Sequence, residues 1–369
     1  MTQHVVLEAM GQNAHYWFSY QVLRNTSFTF PTDKPNIIVN KNGGLSIFAV
    51  DTGATCIIPP GCKIFMGPGA VMTVDGTLMT SPTPSWSDSV IFQYIRTDYG
   101  GLPGEWLGIT YSRIATVNLS HVIIDQSTFG LSDEYVLNVL AQAQITTSNL
   151  TTSYSNSQLP NVTLNNVIIR NSSTTALTAL CTNLKATNCL FFSCGGALVQ
   201  LGYGGTCTMT NCTLANTYSQ YISSQNQALT ILDDIRYING ALVSPLATAV
   251  TITNSIVGGN TSQNNGNDIY FFLNLQSSDH ITFNNCFLTT VADSITSYQA
   301  MNINCIDTLG DPYYSFNPPI FSAPFTNNYM PDSASLVISR GNASLQPAAD
   351  LYDYSRSSTN TIGAIVWHH

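Results

Sequence analysis

The sequence predicts an all-β fold, a single-stranded parallel β-helix whose short coils stack into a solenoid. Loop insertions interrupt it, and a C-terminal covering segment follows. Three observations lead there. A pattern of polar residue, Asn, small residue and apolar run recurs as Asn165-Asn166-Val167-Ile168-Ile169, Thr187-Asn188-Cys189-Leu190-Phe191 and Thr210-Asn211-Cys212-Thr213-Leu214. Asn166, Asn188 and Asn211 stand 22 and 23 residues apart, and a fixed period of that size marks stacked copies of one small unit. The flanking chain reads as strands of a few residues separated by Pro and Gly turns. Finally, 44% of the residues are apolar and only 8% are charged, against about 25% charged in an average soluble domain.

A lone coil cannot bury its apolar face. Stacking at about 4.8 Å per coil pairs each backbone group with the coils above and below. Inward positions then align as a ladder of Val122, Val167, Cys189, Cys212, Ser255 and Cys286. The Asn beside each sits at a bend, where Asn tolerates the left-handed conformation. A β-sandwich or jelly roll would not demand the 22-residue period.

In chain order, residues 1–30 read as an N-terminal cap with entry strands, including the alternating Ser27-Phe28-Thr29-Phe30. Residues 31–306 form the β-helix. Its first coils are the runs at 36–40, 45–50, 55–58, 62–66, 71–74 and 77–79, divided by Asn42-Gly43-Gly44, Pro59-Pro60-Gly61, Gly67-Pro68-Gly69 and Asp75-Gly76. Pro82 and Pro84 mark a loop, and Trp106 is expected to cover the core. Residues 117–125 repeat the Asn-type coil, with His121 in the Asn place. The interval to Asn166 is close to two periods and carries an insertion, in which 134–145 suits a short helix or a strand and 146–158 a surface loop. Asn254 and Asn285 continue the series at 249–257 and 280–288. Residues 307–369 hold six of the 16 prolines and read as an irregular segment covering the open end.

Composition excludes several functions. A net charge of −9 with 11 Lys and Arg argues against nucleic acid, which needs clustered cations. No apolar run reaches the roughly 18 residues of a membrane span. The nine cysteines contain no CxxC pair, so neither a zinc ribbon nor a thioredoxin-type motif is expected. Those in the ladder read as small buried packing residues. No metal and no cofactor is expected. P-loop, GxSxG and EF-hand motifs are absent.

The stretches GQNAHYW, IIPPGCKIFMGPGAVMTVDGTL, PGEWLGI, FFSCGGALVQLGYGGTCTMTNCTLANTYS, TITNSIVGGN and the late IGAIV together resemble the right-handed parallel β-helix repeat proteins exported by Bacteroidetes, many of them surface lipoproteins. The likeness runs from about Val5 to Val366. It implies a right-handed helix and an extracellular or outer-membrane-surface location. It also implies an N-terminal lipoprotein signal. The chain begins MTQHVVLEAMGQ, without a basic or apolar leader region, so the expectation is either that the protein is not exported or that a leader was removed, and a lipid anchor with it.

β-Helices serve as lyases, hydrolases, adhesins and structural proteins, so the fold leaves function open. Asp233-Asp234 is the one adjacent aspartate pair. Neighbouring strand residues face opposite ways, whereas glycosidic hydrolysis needs two carboxylates facing one substrate. Asp125 and Arg170 end equivalent strands and read as charges on a coil edge. No catalytic residue is assigned. The candidate ligand-binding surface is aromatic, formed by Tyr203, Tyr218, Tyr221 and Tyr237 with Asp233 and Asp234, where the chain leaves its regular coils. Sugar rings stack on aromatic faces and their hydroxyls bind Asp and Asn; the competing and plainer reading is that some of these tyrosines simply cover the core. The expected function is non-catalytic binding of a glycan or a partner surface protein. The alternatives are a polysaccharide lyase or glycoside hydrolase with an unrecognised site, and a structural subunit of an extracellular assembly.

Overall fold

The computed structural model describes residues 13–39, 45–82, 85–96, 102–133, 159–215, 227–232, 247–258, 268–272, 280–289, 301–307, 321–356 and 360–367. They form an all-β parallel solenoid. Strands collect into one 19-stranded sheet and one nine-stranded sheet, with a separate two-stranded antiparallel hairpin, Phe321–Ala323 with Asn328–Pro331. Every pairing in the two large sheets is parallel and joins a strand to its equivalent in the next coil. His15–Trp17 pairs with Asn36–Ile38, which pairs with Lys63–Met66. The parallel ladder thus begins within residues 1–30. None of the described elements is a helix long and apolar enough to cross a membrane.

The 19-stranded sheet is two columns fused by two long strands, Thr116–Asp125 and Asn161–Arg170. Elsewhere the columns separate, as in Asn183–Thr187 followed by Leu190–Phe192 and Gly205–Thr210 followed by Thr213–Ala215. The residue at the junction bends the chain. His121, Asn166, Asn188, Asn211, Asn254, Asn285 and Asn304 all have φ between 48° and 55°. This left-handed region costs most side chains roughly 1–2 kcal/mol and is eased for Asn by its short polar side chain. The repeating Asn of the sequence is therefore the corner of the coils from Asn161–Arg170 onward, with His121 in that place one coil earlier.

The residue after each of the first six corners points inward. Val122, Val167, Cys189, Cys212, Ser255 and Cys286 are all fully buried, as the period predicts. They join a continuous core lined also by Phe48, Met72, Ile109, Leu131, Leu177, Val199 and Leu229 of the nine-stranded sheet. Trp106 is buried and donates its indole N–H to the Asp125 carbonyl at 2.9 Å. All nine cysteines are free thiols.

The strands after the corners are short and apolar on both faces because both faces are covered. Their outward residues, Ile168, Leu190, Phe192, Ala215, Ile256 and Phe287, form a second core with Phe321, Tyr329, Val337, Leu351, Ile362, Ala364 and Ile365. The C-terminal segment is thus a strap along the flank of the coils, where the sequence suggested the open end. An end cap could bury only one coil, whereas a flanking strap buries one outward row over many coils. Gly363 accounts for the IGA stretch. Its φ is 101°, and a Cβ there would meet Ile256 Cδ1 at 2.7 Å and Thr213 Oγ1 at 2.8 Å, so only glycine lies this close to the coils.

Candidate binding cleft

The corner residues do more than turn the chain. Asn188 Nδ2 donates to Asn166 Oδ1 at 3.2 Å, and Asn254 Nδ2 to Asn211 Oδ1 at 3.4 Å. The same amides bind the strap. Asn166 donates to the Asp350 and Leu351 carbonyls at 3.1 Å, Asn188 to the Ala349 carbonyl at 2.9 Å, and Asn254 to the Asn342 carbonyl at 3.0 Å. Asn211 reaches the Thr361 and Gly363 carbonyls at 3.3 Å. The row of asparagines is a docking rail for strap backbone that lies outside the two large sheets.

Two buried charges shape the strap. Asp350 is fully buried, and its carboxylate accepts from the backbone N–H groups of Tyr352 (2.8 Å), Tyr354 (2.9 Å) and Val366 (2.8 Å). Burial raises its pKa against those bonds and the Arg356 charge. Arg356 is 1% exposed and donates to the carbonyls of Ala349, Thr361, Gly363 and Ala364 and to Asn188 Oδ1. Burial pulls its pKa down to about 10, with the Asp350 charge opposing. Asp350 thereby fixes the turn that presents Tyr352 and Tyr354.

Opposite them stands Trp86, on the short turn Trp86–Asp88 after the Pro-rich loop. Its backbone N–H donates to Asp353 Oδ2 at 2.8 Å, and its ring lies 5.4 Å from Tyr352, edge-on, and 5.7 Å from His121. Asp353 Oδ1 also contacts His121 Nε2 at 3.1 Å, while Ser120 Oγ lies 2.9 Å from His121 Nδ1. Ser120, His121 and Asp353 make a line with the polarity of a hydrolase triad. Yet the imidazole is 6% exposed beneath the Trp86 ring, and the carboxylate also binds the Trp86 N–H and the Asn166 amide. The line latches the strap rather than facing a substrate.

Between these elements opens a cleft of about 450 Å³, lined by Trp86, Asn328, Met330, Tyr352, Tyr354 and Ile365, within the range of about 300–1,000 Å³ usual for small-ligand sites. No lining side chain is charged. Arg170 acts on the Tyr352 phenol, which burial holds above its ordinary pKa, aided by the Asp350 charge and opposed by Arg170. Arg170 Nε is itself tied to Asp125 Oδ2 at 2.8 Å, and Asn171 donates to Asp125 Oδ1 at 2.8 Å. These are the two coil-edge charges of the sequence, now one ion pair between adjacent coils.

Of the aromatic surface expected from the sequence, Tyr203 is half-buried at a left-handed corner with φ 57°. Its N–H donates to the Leu232 carbonyl at 2.9 Å and its carbonyl accepts from Cys181 Sγ at 2.9 Å. It does not line the cleft. Tyr218, Tyr221, Asp233, Asp234 and Tyr237 lie outside the described residues. The cleft aromatics carry a weak signal in the chain: Trp86 interrupts the period beside prolines, and Tyr352-Asp353-Tyr354 alternates aromatic and acid. A separation of 267 positions along the chain between Trp86 and Asp353 hides their meeting. Among the described residues no group of three or more His, Cys, Asp or Glu side chains could hold a metal ion.

A scan against models of known protein families finds no match, and a search of curated proteins finds no significant one.

Proposed function

We propose that this chain is a non-catalytic β-helix protein of the cell surface or extracellular space, and that its ligand is a glycan. The observation that carries the proposal is the uncharged, aromatic-walled cleft between the Trp86 turn and the strap. Aromatic side chains present large apolar faces with a polar tip, which matches the alternating apolar face and hydroxyl rim of a sugar ring. The surface location is supported by the resemblance to exported Bacteroidetes repeat proteins and by a surface of Asn, Thr and Ser in place of charge.

The experiment is a glycan array with the intact chain and its Trp86→Ala variant, paired with product analysis after long incubation with the glycans that bind. Binding that weakens in the variant, with no shortened products, is the expected result. Cleavage would move the protein to the lyase or hydrolase class. A blank array would overturn the glycan proposal.

A further inference from the structure

We infer that the ligand of this cleft is a neutral sugar, held against the Trp86, Tyr352 and Tyr354 rings and by hydroxyl contacts to Tyr352 and Asn328. This inference rests on the glycan-binding proposal and narrows it to a chemical class.

The hydrogen-bonding groups of the lining come first. The indole N–H of Trp86, the Tyr352 hydroxyl and the Asn328 amide nitrogen form no hydrogen bond with another described residue, although Asn328 Oδ1 is engaged by the Met330 N–H at 3.1 Å. A phenol, an indole N–H and an amide are the neutral set that suits the hydroxyls of a polyol. They line a cleft whose other walls are Met330 and Ile365, an arrangement of apolar surface with a few placed polar groups typical of ligand sites.

The charges around the cleft favour the same class. Asp353 keeps its carboxylate 36% exposed while binding His121 Nε2 and the Trp86 N–H. A uronic or sialic acid would bring a second carboxylate toward it. Arg170 is a cation that acts on a cleft side chain, Tyr352, and its charge is already matched by Asp125 at 2.8 Å. Arg356 is buried and committed to five acceptors of the strap and the coils. An acidic sugar would therefore meet repulsion with neither of these cations available to offset it, whereas a neutral one meets no such repulsion. The volume of about 450 Å³ suits a terminal ring or a disaccharide end.

The test is titration calorimetry of the full chain with maltotriose, cellotriose and chitotriose, and with trigalacturonate and a sialylated trisaccharide as the acidic arm. Asn328→Ala is the principal variant, since Asn328 is exposed and outside the packed interior; Trp86→Ala is the second, and thermal melts verify both folds. At least one neutral trisaccharide is expected to bind, with affinity unchanged by added salt and reduced roughly tenfold in either variant, as for truncation of an anchoring contact. Binding confined to the acidic arm would overturn the neutral class and leave the glycan proposal standing. Neutral binding that Asn328→Ala leaves untouched would overturn the assignment to this cleft. Silence from both arms would overturn the glycan proposal and this inference together.

Discussion

Arg356 Nη2 donates to Asn188 Oδ1 at 3.2 Å across 168 residues of chain. The bond joins the most heavily committed side chain of the strap to a corner of the coils. Its Asn partner is held in turn by the Ala349 carbonyl and by Asn166, so neither side chain can move without breaking the docking rail.

Arg356→Lys is expected to destabilise the protein by about 2 kcal/mol, because an ammonium keeps the charge but cannot reproduce a planar fork with five acceptors. Urea unfolding monitored by Trp fluorescence gives the magnitude. Limited proteolysis should show cleavage within 321–366 before any within the coils.

Asn188→Ala removes the side chain that eases a φ of 51°, deprives the buried Asn166 Oδ1 of its donor, and takes one bond each from the Ala349 carbonyl, which keeps Arg356 Nε, and from Arg356 Nη2, which keeps the Gly363 and Ala364 carbonyls. A loss of about 2–3 kcal/mol follows from left-handed strain and unpaired buried groups combined. Asn188→Gly relieves the strain but not the lost bonds, so its denaturation midpoint should lie between those of the wild type and the Ala variant.

Asp350 has its pKa raised above the ordinary 3.8 by burial. The native state therefore binds this proton more tightly than the unfolded chain. Its contribution is fully present below 3.8 and is lost as pH rises through the raised native value. Asp350→Asn is expected to abolish that component, so the difference in melting temperature between wild type and variant should change across this window and be flat above it.

Gly363→Ala should lift the strap, since the new methyl would collide with Ile256 and Thr213 and φ 101° is strained for any side chain. A lowered melting temperature and increased binding of a hydrophobic dye, from exposure of Ile256 and its neighbours, is the expected outcome.

Cys62, Cys194 and Cys207 are buried and their pKa values pushed up to about 12 by loss of water. Native protein treated with iodoacetamide near neutral pH should label first at half-buried Cys305, with the eight buried thiols reacting only after unfolding. Peptide mass spectrometry decides this.

The repeat made the scaffold legible. Asn166, Asn188 and Asn211 announce corners because a bend repeated once per coil needs, at each coil length, a residue that tolerates the left-handed region. The inward cysteines follow from the next position. What lay beyond sequence reasoning was the second use of those same asparagines. Their side chains serve a strap more than a hundred residues away, and no local pattern encodes that partnership. The cleft was hidden for the same reason: Trp86 and Tyr352 become neighbours only after the strap docks. Arg170 and Asp125 were visible as coil-edge charges, and their pairing follows once register places them opposite each other.

The strap also sets a hazard in time. A solenoid can form coil by coil as it is translated, each unit resting on the one before. Here the row Ile168, Leu190, Ile256 and Phe287 is covered by residues translated after all of those coils. Until they arrive, a nascent solenoid presents a long greasy flank to its surroundings, the kind of surface that draws in other chains. Completion of residues 321–366 is therefore the moment at which the molecule stops being adhesive to its own kind.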